Sequence, residues 1–319
     1  MSDENLAEIR NEKAKKIQHP KGKLTAYERL NLLLDEGSFS EIDQHVASDE
    51  NPEGEAVITG TGTIHGRPVF VFSEDFSVMG GSLGEVVAKK ILKIMDHALE
   101  ARAPIIGIKD SGGARIQEGI SSLFGYAQIF KKNVEASGKV PQISVVVGPS
   151  AGGAVYSPAL TDFIFQVKDI GQLYVTGPAV VKTVTGEDVT FEELGGVEAH
   201  GTKSGVTHQV CETEEQAFEE IRYLMSFLPQ SSSQKPPMFI TEDEPSRVIE
   251  SLDSFIPENR NQPYDMEKII LDIVDDGEHY PIQSNYATNI ITSFARINGN
   301  TTGIVANQPM ELAGVLDIK

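Results

Sequence analysis

The sequence predicts an α/β fold built from strand–helix crossover units. Two apolar, β-branched runs, 104–109 and 143–147, are each followed by a Gly-Gly pair and then by a helical pattern. Strands that alternate with helices in this way are typical of parallel sheets with helical connections. The chain has 319 residues and is 39% hydrophobic. That is enough apolar material for one large core or two moderate ones.

The elements before these two units are predicted from periodicity and cap signals. Residues 4–19 are charged and helix-prone, and a second helix over 24–34 opens on a threonine cap. Residues 56–64 and 69–72 are predicted strands, joined by a hairpin turn at His65-Gly66-Arg67-Pro68. A helix over 85–102 follows, and it leads into the first of the two crossover units.

Each Gly-Gly pair lies between a strand and a helix, in Gly112-Gly113-Ala114-Arg115 and in Ser150-Ala151-Gly152-Gly153. Backbone N–H groups at such a helix start are preorganised donors, and the helix dipole adds partial positive charge. We therefore predict an oxyanion site at these loops. The alternative is that the glycines only permit tight strand-to-helix turns.

Composition excludes several classes of protein. The net charge of −20 argues against binding to nucleic acids and to anionic membranes. The single Cys211 excludes an internal disulfide framework and a cysteine-rich zinc site. No apolar run reaches transmembrane length and the N-terminus lacks a signal-peptide core, so we expect a soluble cytoplasmic protein. Against the acidic background, five lysines stand close together and are either phosphate ligands or a solvated helix face: Lys13, Lys15, Lys16, Lys21 and Lys23.

The chain is predicted to divide into a domain over 1–228, a linker over 229–263 and a further unit over 264–319. The linker is rich in proline, serine and acidic residues, with one short helix expected at 246–251. A shift of 233 positions lays Ile64-His65-Gly66-Arg67 on Ile297-Asn298-Gly299-Asn300, Gly81 on Gly314 and Leu83 on Leu316. The last unit therefore looks like the start of a second copy that stops at Lys319, and we expect the chain to be a fragment.

Several ordered motifs carry a family resemblance. They are Lys21-Gly22-Lys23-Leu24-Thr25-Ala26, Phe76-Ser77-Val78-Met79-Gly80-Gly81-Ser82, residues 110–119, residues 148–159, Thr176-Gly177-Pro178, residues 185–188 and residues 193–196. Over essentially its whole length the chain resembles the carboxyltransferase β subunits of biotin-dependent acyl-CoA carboxylases. The resemblance implies an N-domain of the ClpP/crotonase fold and the start of a second crotonase-like domain. It also implies a homo-oligomer, a trimer of dimers, whose active sites lie between the N-half of one subunit and the C-half of another.

The implied reaction moves a carboxyl group from carboxybiotin to the α-carbon of a short-chain acyl-CoA such as propionyl-CoA or acetyl-CoA. By resemblance, the N–H groups of Gly152 and Gly153 hold the enolate oxygen. The freed biotin accepts the α-proton, so neither a side-chain base nor a metal is expected. The implied partners are a biotin carboxylase and a biotin carboxyl carrier. The residues expected to border the acyl-CoA are Met79, Gly80, Gly81, Gly112, Gly113, Ala114, Arg115, Ser150 and Ala151. Arg115 has two interpretations, a contact to CoA phosphate or an ion pair with Asp110 or Glu118.

Three alternatives stay open. Gly148-Pro149-Ser150-Ala151-Gly152 satisfies the G-x-S-x-G pattern of a serine hydrolase. Against that function, His200, His208 and His279 give no clean triad order. The second alternative is a decarboxylase of the methylmalonyl-CoA type, which returns the carboxyl group to biotin. The third is an inactive CoA-binding fragment.

Overall fold

The chain folds into a large mixed sheet flanked by helices, followed by a smaller antiparallel sheet. A computed structural model describes residues 3–244, 246–259 and 261–318, so Lys319 lies outside the described residues. The α-helices are α1 (Asp3–Gln18), α2 (Ala26–Leu33), α3 (Glu85–Ala101), α4 (Ile120–Ala136), α5 (Gly153–Ala159), α6 (Pro178–Thr185), α7 (Phe191–Gly195), α8 (Glu214–Met225) and α9 (Met266–Ile273). The strands are β1 (Ser40–Glu41), β2 (Val57–Ile64), β3 (Arg67–Glu74), β4 (Ile105–Ser111), β5 (Gln142–Ala151), β6 (Phe163–Val167), β7 (Gln172–Tyr174), β8 (Gln209–Cys211), β9 (His279–Ile282), β10 (Ile290–Ile297) and β11 (Asn300–Asn307).

The large sheet has the order β1-β2-β3-β4-β5-β6-β8, and β7 pairs with the end of β5. β1, β2 and β3 pair antiparallel, whereas β3, β4, β5, β6 and β8 pair in parallel. The β4–α4–β5 and β5–α5–β6 connections are the predicted crossover units. Parallel strands end at one edge of the sheet, so the loops after β4 and β5 become neighbours.

Local sequence rules explain the first helices and the first hairpin. Thr25 caps the N-terminus of α2 in a capping box with Glu28, which confirms the predicted threonine cap. His65 and Gly66 take positive φ angles of 53° and 72° and join β2 to β3, which confirms the predicted hairpin. Two-residue turns with positive φ angles are favoured in hairpins because their backbone twist matches that of the two strands they join.

Two apolar cores lie on the two sides of the large sheet. One packs α2 and α8 against β2 to β6, and the other packs α3 and α4 against the opposite face. The smaller sheet joins the first core through Tyr280, and the Phe227 ring stacks on Tyr280 and Phe294 with centroids 6.0 and 6.2 Å apart. Within the described ranges, no helix is both long and apolar enough to span a bilayer.

The segment between the two sheets has little regular structure. Among its described residues, the helix found is a 3-10 turn over Glu250–Ser254, so the predicted helix at 246–251 is placed too early. Only residues 250 and 251 belong to both. Serine and acidic residues favour caps and turns, so this stretch has no apolar period that could fix the boundary.

The smaller sheet repeats the geometry of the first hairpin. Strands β10 and β11 match β2 and β3 residue for residue at the shift of 233, and their turn at Asn298-Gly299 also has positive φ angles. The carboxylate of Asp35 accepts the two turn N–H groups of the first hairpin, and that of Asp275 accepts those of the second. Helices of eight residues, α2 and α9, lie just before these aspartates. The repeat seen in the sequence is therefore a repeat of structure.

Candidate active site

Three loops meet at the carboxyl edge of the large sheet, and they hold the predicted site residues. They follow β3, β4 and β5 and contain Met79–Gly81, Gly112–Arg115 and Ala151–Gly153. The first two loops are joined by backbone hydrogen bonds, from Gly112 N–H to the Gly80 carbonyl and from Leu83 N–H to the Gly113 carbonyl, both 2.9 Å. The sheet topology thus brings the three predicted segments together.

Close packing explains why glycine stands at two of these positions. Gly113 has φ +99°, and a Cβ there would lie 2.7 Å from the carbonyl oxygen of Ala151 in the third loop. Gly81 has φ +67°, and a Cβ there would overlap the carbonyl oxygen of Asp110. Neither position therefore accepts a side chain without moving a neighbouring backbone.

The hydrogen bonds of the loops show which N–H groups are available. Gly152 N–H donates to the Tyr174 carbonyl at 3.1 Å, and Gly113 N–H donates to Ser111 Oγ at 3.1 Å. Among the described residues, no acceptor is found for the N–H groups of Ala114 and Gly153. Of the two predicted oxyanion donors, Gly152 is therefore engaged in the sheet and Gly153 is available.

Tyr126 of α4 supports the third loop from below, a role that no sequence pattern indicates. A Cβ on Gly153 would lie 2.6 Å from the Tyr126 ring, so the backbone rests directly on the ring. The Tyr126 side chain is 4% exposed, and burial raises its pKa. In the sequence, its position on α4 indicates only core packing. Only the tertiary structure places it at the site.

Arg115 is buried beside the loops and is paired with carboxylates. Its side chain is 1% exposed and forms ion pairs with Glu55 at 2.8 Å and with Glu118 at 2.9 Å. Of the two interpretations of Arg115, this geometry favours the ion pair with Glu118 over a contact to CoA phosphate. Burial opposes ionisation of Glu55, but the hydrogen bond and the charge of Arg115 outweigh it and hold the pKa of Glu55 below the usual range.

A second buried charge cluster fixes the end of β4 behind the site. The Asp110 carboxylate accepts hydrogen bonds from Lys23 at 2.6 Å, Arg29 at 2.9 Å and Gln18 at 3.0 Å. Arg29 also pairs with Glu214 of α8 at 2.6 Å. Buried charges persist only when they are paired and hydrogen-bonded, and this cluster meets that condition. It ties α1, α2 and α8 to Asp110, two positions before Gly112.

The remaining predicted residues differ in exposure. Met79 is 39% exposed and has φ +47°, so it is a surface residue rather than a core residue. Gly112 is exposed, and a Cβ there would make only an ordinary contact, 3.4 Å from the Gly80 carbonyl oxygen. Apolar side chains next to the loops are also exposed: Ile116, Ile120, Leu123 and Phe124.

The serine hydrolase geometry is absent from the described part of the chain. Ser150 lies inside β5, is fully buried, and its hydroxyl has no partner there. His200 binds the Leu173 carbonyl, and His208 accepts the Ile164 N–H. His279 pairs with Glu267 in the smaller sheet. The serine therefore has neither the exposure nor the base that a nucleophile requires.

Known proteins resemble this chain over nearly all of its length. Residues 17–319 match the Carboxyl transferase domain family. The chain is 55% identical over 309 residues to the propionyl-CoA carboxylase beta chain of Roseobacter denitrificans, covering 94% of this chain and 61% of the relative. It is 53% identical over 326 residues to the methylmalonyl-CoA decarboxylase subunit alpha of Veillonella parvula, covering 99% and 64%. A transcarboxylase 12S crystal structure with methylmalonyl-coenzyme A bound superposes with TM-score 0.94 at 45% identity, covering 99% of this chain and 64% of that one. The chain thus spans a little over three fifths of the length of these relatives.

Proposed function

The chain belongs to the carboxyl transferase domain family and has its crotonase-like α/β fold, and from that premise we propose its reaction. We propose that it is the carboxyltransferase component of a biotin-dependent acyl-CoA carboxylase. It would move a carboxyl group from carboxybiotin to the α-carbon of a short-chain acyl-CoA such as propionyl-CoA or acetyl-CoA. The observation that carries the proposal is the meeting of three glycine loops, with Gly153 N–H available as a donor.

The residues of this chain would act on the thioester. Removal of the α-proton moves negative charge onto the thioester oxygen, and Gly153 N–H would donate to that oxygen. Losing one such donor costs roughly 3–4 kcal/mol in other enzymes. When bound, carboxybiotin supplies the carboxyl group, and its freed ureido nitrogen takes the α-proton. The new C–C bond at the α-carbon replaces the C–N bond of carboxybiotin, so the atoms balance.

The loops leave room for an acyl-CoA. In this proposal the group that accepts the α-proton comes from outside the chain. Gly112 is exposed with room beside it, whereas Gly81 and Gly113 let the loop backbones approach closely. Ser150 is buried, so no exposed hydroxyl of that motif competes for the thioester. Met79, Gly80, Ala114 and Ala151 would form the rest of the acyl-CoA wall.

The proposal includes partners and an assembly. A biotin carboxylase and a biotin carboxyl carrier would deliver the carboxyl group, and the chain would form a homo-oligomer, a trimer of dimers. The exposed apolar side chains from Ile116 to Phe124 support an interface beside the site. Transcarboxylase 12S, whose structure superposes on this chain, forms a hexamer assembly. We also propose the division into 1–228, 229–263 and 264–319, supported by the repeated hairpin. As part of the same proposal, we place the reaction in the cytoplasm.

A second candidate is the reverse direction. The methylmalonyl-CoA decarboxylase relative is nearly as similar to this chain as the carboxylase relatives are. In that direction the same Gly153 N–H would stabilise the same enolate after the carboxyl group leaves. The choice between the two directions would then depend on the partner subunits and not on these loops.

The test is the biotin-dependent loss of the carboxyl group from methylmalonyl-CoA. The chain is incubated with methylmalonyl-CoA with and without free biotin, and propionyl-CoA is measured by chromatography. We expect propionyl-CoA to form only with biotin. Gly153→Ala keeps the N–H group, but its Cβ would lie 2.6 Å from the Tyr126 ring and push the donor out of place, so we expect the rate to fall roughly 100-fold, as for a lost donor. Free CoA released without biotin, and lost in Ser150→Ala, would instead establish a hydrolase. CoA binding without turnover would leave only the CoA-binding function.

A further inference from the structure

One buried hydroxyl group lies where the glycine loops meet. It belongs to Ser111, the last residue of β4, whose side chain is fully buried. Ser111 Oγ donates a hydrogen bond to the Gly81 carbonyl at 2.6 Å, in the loop after β3. The same oxygen accepts a hydrogen bond from the Gly113 N–H at 3.1 Å, in the loop after β4. Ser111 therefore bridges the first two loops.

The Ser111 side chain also reaches the residue that supports the third loop. The Tyr126 hydroxyl lies beside Ser111, and no other side chain or backbone group is found near enough to bind it among the described residues. A serine oxygen has one proton to donate and two lone pairs, and the contacts to Gly81 and Gly113 use the proton and one lone pair. The second lone pair is left for the Tyr126 hydroxyl, and the Tyr126 ring carries the backbone of Gly153.

The bridge cannot shift without leaving buried groups unpaired. Gly81 and Gly113 are both buried, and in the described part of the chain no second partner is found for the Gly81 carbonyl or the Gly113 N–H. A buried backbone group that loses its partner costs more than the hydrogen bond contributed. By contrast, the hydroxyl of Ser150, a buried serine at the same edge of the sheet, has no partner there. Burial of a serine at this edge therefore does not by itself produce such a bridge.

These contacts fix the peptide groups that carry the free donors. Gly113 is held on both sides, because its N–H donates to Ser111 and its carbonyl accepts the Leu83 N–H at 2.9 Å. In a trans peptide the N–H points away from the carbonyl, so the Ala114 N–H points away from Leu83 and stays free. The other free N–H belongs to Gly153, which the ring beside Ser111 supports. Both free donors thus depend on contacts that meet at one hydroxyl.

We propose that Ser111 is a positioning residue of the candidate active site, and that its buried hydroxyl holds the three glycine loops so that their free N–H groups face the thioester oxygen. This inference rests on the proposed function, because it requires a thioester at these loops. Ser111 itself does not touch the substrate. Its removal should therefore spare the binding of acyl-CoA and weaken the stabilisation of charge on the thioester oxygen. In other enzymes a displacement of about 1 Å costs roughly 100-fold in rate.

The first test compares Ser111→Ala with Ser144→Ala in the biotin-dependent formation of propionyl-CoA from methylmalonyl-CoA. Ser144 is the matched control, because it is a buried serine of the neighbouring strand β5 whose Oγ accepts a hydrogen bond from Thr161 at 3.1 Å, away from the loops. We expect Ser111→Ala to lower kcat roughly 100-fold with KM changed less than about threefold, and Ser144→Ala to change both less than about threefold. Urea midpoints check that the variants stay folded. Ser111→Cys fills the same space with a weak donor and acceptor, so it should lower kcat about 10-fold and replaces Ser111→Ala if that variant does not fold.

A second comparison tests the connection to the third loop. Tyr126→Phe keeps the ring under Gly153 and removes only the hydroxyl, so it should lower kcat about fivefold, the effect of one neutral hydrogen bond. In the Ser111→Ala background the same change should have no further effect, because the shared contact is already lost. Losses that multiply in the double variant would overturn the inference that one hydroxyl joins all three loops.

Infrared spectroscopy reads the donors without turnover. Propionyl-CoA labelled with carbon-13 at the thioester carbonyl is bound to each variant, and calorimetry gives its Kd. We expect the carbonyl stretch to move to lower wavenumber on the unmodified chain and on Ser144→Ala, and to return toward that of the free thioester on Ser111→Ala at a similar Kd. A Ser111→Ala variant with the carbonyl stretch of the unmodified chain and the turnover of Ser144→Ala overturns the inference and leaves the proposed function intact. An unmodified chain that binds no propionyl-CoA overturns both.

Discussion

Gly112 and Gly113 are neighbours in one loop, yet alanine should have opposite consequences at the two positions. Gly113 has φ +99° and a Cβ there would lie 2.7 Å from the Ala151 carbonyl oxygen. A left-handed backbone costs an L-residue about 1–2 kcal/mol. Moving two packed backbones apart adds about 1–3 kcal/mol, as in other overpacked sites. We therefore expect Gly113→Ala to lower the free energy of unfolding by about 2–5 kcal/mol.

Gly112→Ala is the matched control for that change. The position is exposed, its φ is ordinary for an L-residue, and the nearest atom to a Cβ is the Gly80 carbonyl oxygen at 3.4 Å. An alanine there also restricts the unfolded chain, which is worth about 0.4–1 kcal/mol of stability. We expect the free energy of unfolding to change by less than about 1 kcal/mol. Affinity for CoA thioesters should fall instead, because the methyl group projects into the proposed acyl site.

Urea unfolding followed by circular dichroism measures the first effect, and titration with propionyl-CoA measures the second. With a slope of roughly 2–3 kcal/mol per molar urea, the Gly113→Ala midpoint should fall by about 1–2 M. The midpoint of Gly112→Ala should stay close to that of the unmodified chain. Equal midpoint losses in the two variants, or a stable Gly113→Ala, would refute the claim that backbone contact between the loops requires glycine at 113.

Three further predictions concern two buried charged groups and the one buried thiol. Arg115→Gln leaves the Glu55 carboxylate buried without its cation, so it should lower the free energy of unfolding, measured with urea at pH 7, by roughly 3–5 kcal/mol. Since the pKa of Glu55 is lowered in the folded chain, the difference in stability between the variant and the unmodified chain should narrow as the pH falls below about 4.5. A difference that is independent of pH would contradict this reasoning. Burial lowers the pKa of Lys90 from 10.5 to about 8, so between these values the unfolded chain binds a proton that the folded chain lacks, and the urea midpoint should rise with pH. Lys90→Met should remove the rise of the urea midpoint with pH and stabilise the fold at pH 7 by up to about 3 kcal/mol. A urea midpoint of the unmodified chain that stays constant between about pH 8 and 9.5 would count against the burial of a charged Lys90. Burial also raises the pKa of Cys211 to about 12, so iodoacetamide at pH 8 should modify it about 1,000-fold more slowly than in urea, and comparable rates would disprove its burial.

The parts of the fold set by neighbouring residues could be predicted from the sequence. The Thr25 cap, the His65-Gly66 turn and the two strand–glycine–helix units all depend on residues within a few positions of one another. The sequence repeat at a shift of 233 positions located the second hairpin for the same reason, because the residues that form the first turn recur at the second. The linker helix was misplaced because its residues carry neither an apolar period nor a strong cap.

The site was predicted at the level of loops but not of individual contacts. Arg115 lies 60 positions from Glu55, and no local pattern shows that the two are partners. Gly152 was expected to donate to the substrate, but the pairing of β5 with β7 takes its N–H. Tyr126 supports Gly153 across a crossover connection. Each of these contacts depends on which strands become neighbours in the sheet. The packing of the whole core determines that order, so local sequence patterns do not show it.

The cluster around Asp110 shows why such distant contacts matter for the chemistry. Asp110 is the last residue but one of β4, so any movement of its backbone moves Gly112 and Gly113. Its carboxylate is held by Lys23 and Arg29, while its N–H donates to Glu74 at 2.9 Å. Oxyanion donors are effective only when they are fixed before the charge develops. A buried ion cluster adds little net stability, because desolvation offsets the attraction, but it restricts the geometry of the groups it joins. The helices outside the sheet therefore contribute to the candidate active site by holding the end of β4 in one position.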